Sequence, residues 1–96
     1  MAHYVSLVNF TDQGVRTFKD AAQRLQRRDE MIAKEGGRVV ETYITMGSFD
    51  AVLVTEFPDD AAALRALLTI AQVGNIRSTT LRAFTRPEAE AIAASL

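Results

Sequence analysis

Tyr4, Glu41, Tyr43, Asp50, Thr80 and Arg82 are the side chains of this sequence best suited to gripping a small molecule. A few such polar groups set in apolar walls are what fix a ligand's orientation in a pocket. Asp50 is the sharpest of them. It follows the turn Gly47-Ser48 and Phe49, and stands at the mouth of the apolar run Ala51-Val52-Leu53-Val54. A carboxyl there has two readings: an acid facing a cavity, or a turn carboxylate that accepts backbone N–H groups, a common use of Asp. Tyr43 and Arg82 have a similar pair of readings, as cavity groups or as partners in cross-strand or intersubunit hydrogen bonds.

Other chemistries find little support. His3 is the only histidine, and a stable metal site needs three or more ligands, so no metal is expected. Without cysteine there is no thiolate nucleophile, no disulfide and no thiolate metal ligand. Ser48 has no nucleophile-elbow motif around it. Gly36-Gly37 follows a helical pattern and lacks the downstream Lys-Ser/Thr of a phosphate loop. No cofactor is expected.

These side chains must be positioned by one small domain, because 96 residues leave no room for a second core. An apolar share of 48% with 24% charged residues is that of an ordinary folded globule. A net charge of -1 gives no footprint for nucleic acid or anionic membrane, and Arg27-Arg28 is countered by Asp29-Glu30. The sequence has no leader-like apolar segment and no long apolar run, so a cytoplasmic location is the expectation.

His3 to Phe10, rich in β-branched and aromatic residues, predicts a first strand. Thr11-Asp12-Gln13-Gly14 breaks it and can cap a helix. From Val15 the period changes to helical. Val15, Phe18, Ala22, Leu25 and Ile32 make an apolar stripe with Met31 beside it, and Lys19, Arg24, Arg27, Arg28 and Glu35 occupy the other face. That predicts one long amphipathic helix, closed by a left-handed glycine in Gly36-Gly37. Arg38 to Met46 and Asp50 to Phe57 predict a hairpin about Gly47-Ser48. Pro58-Asp59-Asp60 opens a second helix with a stripe of Leu64, Leu67, Leu68 and Ala71. Ile76 to Phe84 predicts a fourth strand, and Thr85-Arg86-Pro87-Glu88 is a capping box that starts a short C-terminal helix.

The order β-α-β-β-α-β plus a terminal helix is the ferredoxin-like α+β pattern: a four-stranded antiparallel sheet with two helices on one face. Strand residues alternate sides, so the other face can be read by parity. The expected open set is Val39, Glu41, Tyr43, Thr45, Asp50, Val52, Val54, Glu56, Ser78, Thr80, Arg82 and Phe84, with the Tyr4, Ser6, Val8, Phe10 side of the first strand. Bare valines there would form an exposed apolar patch, which a second copy packed sheet to sheet would bury.

The segments "YVSLVNFTDQGVR", "GGRVVETYITMG", "DAVLVTEFPDD" and "GNIRSTTLRAFT" resemble, in order and over nearly the whole chain, members of the GYD-domain family. The family takes its name from a Gly-Tyr-Asp before the third strand. Here that turn reads Gly47-Ser48-Phe49-Asp50, so the aromatic-acid pair is kept and no tyrosine hydroxyl stands at it. The resemblance implies a ferredoxin-like domain that forms a dimeric α/β barrel. It implies no settled activity; proteins of this architecture include small monooxygenases and muconolactone-isomerase-like proteins. Three functions stay open at this point. One is a binding or sensing module with a cavity for a small apolar ligand between the paired sheets. The second is a cofactor-independent enzyme of the isomerase or monooxygenase kind. The third is an assembly subunit. The expected partner is a second copy, as a homodimer or a larger even assembly, with no nucleic acid and no membrane.

Overall fold

The computed structural model describes residues 1–96. Strand β1 (Ala2–Phe10) is followed by α1 (Asp12–Arg16), a 3-10 turn at Phe18–Asp20, and α2 (Ala21–Lys34). Next come β2 (Arg38–Ile44), β3 (Ala51–Phe57), α3 (Asp60–Gln72), β4 (Ile76–Ala83) and α4 (Arg86–Ala94). The strands form one antiparallel sheet in the order β2-β3-β1-β4, the ferredoxin-like topology the sequence predicts. No helix is long and apolar enough to cross a membrane.

The first helix differs from expectation by being broken. The Thr11 hydroxyl accepts the Gly14 N–H at 3.1 Å and caps α1 early. Thr17 then leaves helical geometry, with its hydroxyl turned back to the Gln13 carbonyl at 2.9 Å. The α3–β4 turn holds α1 in place. Thr11 N–H and hydroxyl donate to the carbonyls of Asn75 and Gly74, at 3.0 and 2.6 Å. The approach is so close that a Cβ at Gly14 would lie 2.1 Å from the Asn75 oxygen. Gly14 is therefore a contact point, where the sequence suggested only a loosened start.

The C-terminal end of α2 follows its sequence signal. Gly36 has φ 76°, and the N–H groups of Gly36 and Gly37 donate to Ala33 and Ile32, a Schellman closure. The capping box of α4 is also present: the Thr85 hydroxyl accepts from Glu88 N–H, and Glu88 accepts from Thr85 N–H at 2.8 Å. The Thr85 backbone N–H, then its hydroxyl, hold the Glu88 carboxyl below its ordinary pKa.

The core gathers at one end of the helix-covered face. Phe57 and Ile32, each 1% exposed, pack with Tyr4, Leu53, Ala62, Ala63 and Ala66. The fully buried residues of α3 are thus alanines, with Ile70 packed beside them. Leu64 and Leu68, expected in its buried stripe, are each 56% exposed. Small side chains let the helix lie close to the sheet, and that close approach rotates the leucines outward.

Candidate functional site

Strand pairing decides which side chains share a face. Tyr4 stands opposite Thr55 and Arg82, and Ser6 opposite Leu53 and Thr80. Tyr4, Ser6 and Val8 are all buried under the helices. The expected placement of Tyr4, Thr80 and Arg82 on the open face is therefore corrected: all three lie on the helix-covered side. The physical reason is that both alternating sets of β1 are comparably apolar, so its parity was decided by pairing. Phe84, also expected open, stacks with Arg82, whose guanidinium carbon lies 4.5 Å from its ring centroid.

On that covered side, the Tyr4 hydroxyl donates to Asp60. Burial first, then that hydrogen bond, push the Tyr4 pKa up to about 12. The Arg82 guanidinium sits 5.6 Å from the Tyr4 ring centroid. Thr80 and Ser6 hydroxyls bond each other at 2.8 Å. These groups are occupied with structure.

Glu41 and Tyr43 do lie on the open face, opposite Val54 and Val52. A bulge between Val39 and Glu41 shifts the strand there, so that Val39, expected with them, packs against the core instead. The open face that results carries Val5, Leu7, Val52 and Val54, flanked by Tyr43 (54% exposed) and Leu81 (50% exposed). One end of it is ionic. His3 Nε2 lies 2.9 Å from Glu56, which also takes Arg38 at 2.9 Å. His3 Nδ1 is buried without a hydrogen-bond partner, with Glu88 3.8 Å away.

Asp50 sits at the opposite end of the sheet. Its carboxylate accepts the Phe10 N–H at 2.9 Å, and its own N–H donates to the Val8 carbonyl at 2.8 Å. It fastens the start of β3 to the end of β1, while Thr45 ties the hairpin by donating to Phe49. The six candidates are thus split among the two faces and one end of the sheet. No three His, Cys, Asp or Glu side chains gather closely enough to hold a metal ion.

A hollow lies on the covered side, beyond the core, between α2 and the sheet. It encloses about 400 Å³, and 12 of its 17 lining residues are hydrophobic. Arg24, Arg27 and Arg28 form part of its wall. The sequence placed these arginines on a solvated helix face. Arg24 and Arg28 are in fact partly buried, while Val15 and Leu25 of the expected stripe are 60% and 40% exposed. Spacing alone hid this, because an arginine stem can cover apolar surface as a leucine does.

Fold and faces together define a small ferredoxin-like α+β module with one uncovered apolar sheet face. The chain belongs to the GYD domain family, whose model matches residues 4–93. It is 33% identical, over 97% of both chains, to a Thermus thermophilus protein named glutamine synthetase and cystathionine beta-lyase binding protein. Among solved structures, it resembles the crystal structure of TTHA0845, also from Thermus thermophilus, with a TM-score of 0.57 and 23% identity. That match covers 88% of this chain and 95% of the other. The crystal structure of FFRP-DM1 matches with a TM-score of 0.58 and 18% identity, over 88% of this chain and all of that one. At these identities the two structures speak for the fold.

Proposed function

We propose that this chain is a binding module that pairs with a second copy through its open sheet face and engages partner enzymes on the surface left outside. The observation that carries the reading is the uncovered row Val5, Leu7, Val52 and Val54, with Tyr43 and Leu81 beside it. A patch of that kind on a small domain marks an interface.

Two further facts favour a second copy as the occupant. The chain exposes 6446 Å², whereas a compact monomer of 10.5 kDa exposes roughly 5,400 Å². The surplus, about 1,000 Å², is of the size each partner buries in a standard interface, about 800 Å². Helix α4 supplies the second fact. It has nine residues, none buried, and no extensive contact with another element of its own chain. A helix that short is marginal in water without tertiary packing.

Enzymes as partners are suggested by the relative named for binding glutamine synthetase and cystathionine beta-lyase, which aligns with nearly the whole chain. On the outer face, the exposed pair Leu64 and Leu68 offers apolar contact. Sedimentation of wild type and Val54→Asp tests the pairing. Wild type should sediment as a dimer at micromolar concentration, and the variant as a folded monomer by circular dichroism. A wild-type monomer would overturn the pairing. Sizing with purified glutamine synthetase or cystathionine beta-lyase tests the rest: failure of both to comigrate would remove these enzymes as partners.

A further inference from the structure

We propose that the cleft between α2 and the sheet is a separate binding site for a small amphiphilic carboxylate. Its floor is the covered side of the sheet, including Val8, Ala51 and Ile44, and its mouth is framed by Phe10 and Phe18, whose ring centroids are 5.5 Å apart. A volume of about 400 Å³ is that of a small-molecule pocket. A well-packed interior would not leave such a space open, and Ile44 at 64% exposed and Phe18 at 45% are left facing it. Those walls suit an apolar body.

Charge selects the other end of the ligand. Three arginines line the cleft and no carboxylate does. Arg24 donates only to neutral groups, the Gly14 carbonyl at 3.1 Å and the Thr17 hydroxyl at 3.0 Å. Arg27 has no ion pair at all. Arg28 is paired only with its chain neighbour Asp29, and reaches Thr42 on the sheet at 3.1 Å. Arg24 and Arg28, four residues apart, stand on one helix face. Partly desolvated guanidinium groups in this arrangement match a carboxylate through paired N–H donors. An apolar tail along Phe10, Phe18 and Ile44, with its carboxylate at Arg24 and Arg28, satisfies both walls together.

The probe is 1-anilinonaphthalene-8-sulfonate, an apolar body bearing one anion, read by fluorescence. One probe per chain should bind and be displaced by decanoate or 2-naphthoate, and not by 1-decanol. Displacement by decanoate alone assigns a straight-chain ligand, and by naphthoate alone an aromatic one. Arg24→Gln and Arg28→Gln should each weaken probe binding roughly tenfold, the loss of one charge-assisted contact. Ala21→Trp should block the cleft, with circular dichroism unchanged. Val54→Asp separates this site from the sheet face: it should leave probe binding intact even where it dissociates the dimer. Absence of binding, equal displacement by decanol, unchanged affinity in both arginine variants, or loss of the probe in Val54→Asp would each overturn the proposal.

Discussion

The two ends of the helix-covered face are built differently from the same two layers. At the Phe57 end, three alanines of α3 and Gly37 let backbone approach backbone, and Phe57 and Ile32 fill what remains. At the Phe18 end, arginines of α2 occupy the inward positions and a cleft remains. The sheet is common to both. The size and charge of the helix side chains that meet it decide whether the layers close or stand apart. One end serves stability, and the other is left free to take a guest.

Substitutions can break or sharpen this contrast. The largest effect belongs to Phe57→Ala, expected to cost about 3–5 kcal/mol, because a fully buried ring leaves a cavity. Phe18→Ala, at a ring already 45% exposed, should cost less than about half as much. Urea unfolding of both measures the gap, and equal losses would abolish the distinction between the ends. Next is Gly14→Ala, expected to cost roughly 1–3 kcal/mol as α1 is driven off the Asn75 carbonyl. It should also loosen the cleft mouth, seen as faster amide exchange at Phe18.

Tyr4→Phe is a smaller change at the closed end. Losing the bond to Asp60 should cost about 1 kcal/mol at pH 7. Alkali reveals its linkage. The folded pKa, about 12, is above the ordinary 10.0, so the stabilisation is full below pH 10 and is lost as pH rises through 12. Wild-type stability should fall more steeply than that of Tyr4→Phe across this window, and parallel melting curves would contradict the shift. Smallest is Ala21→Leu in the cleft wall, which should stabilise by about 0.5–1 kcal/mol as added methylenes find empty space. The matching Ala63→Leu at the closed end should destabilise instead.

The element order and the caps were legible in the sequence because their signals are local. Gly36-Gly37 closes α2, and Thr85 with Glu88 starts α4, through groups within a few residues of one another. What escaped depends on partners far along the chain. The side of β1 that faces the helices is fixed by β3 and β4, since Tyr4-Ser6-Val8 and Val5-Leu7 are equally acceptable in a core. Thr80 and Arg82 follow that choice. The bulge in β2 defeats any count by parity. Leu64 and Leu68 look more like core than alanines do, yet close packing favours the small residues. The arginine-lined cleft has no motif at all, because it is a spacing between layers.

The irregularity at Val40 has a consequence for life in a crowded solution. Strand β2 lies at the edge of the sheet, where free N–H and C=O groups offer a template to any passing strand. An extra residue between Val39 and Glu41 interrupts that template midway and bends the ribbon. A foreign strand could match only half of it. Edge-to-edge pairing along β2, the first step toward fibrils, is thereby discouraged.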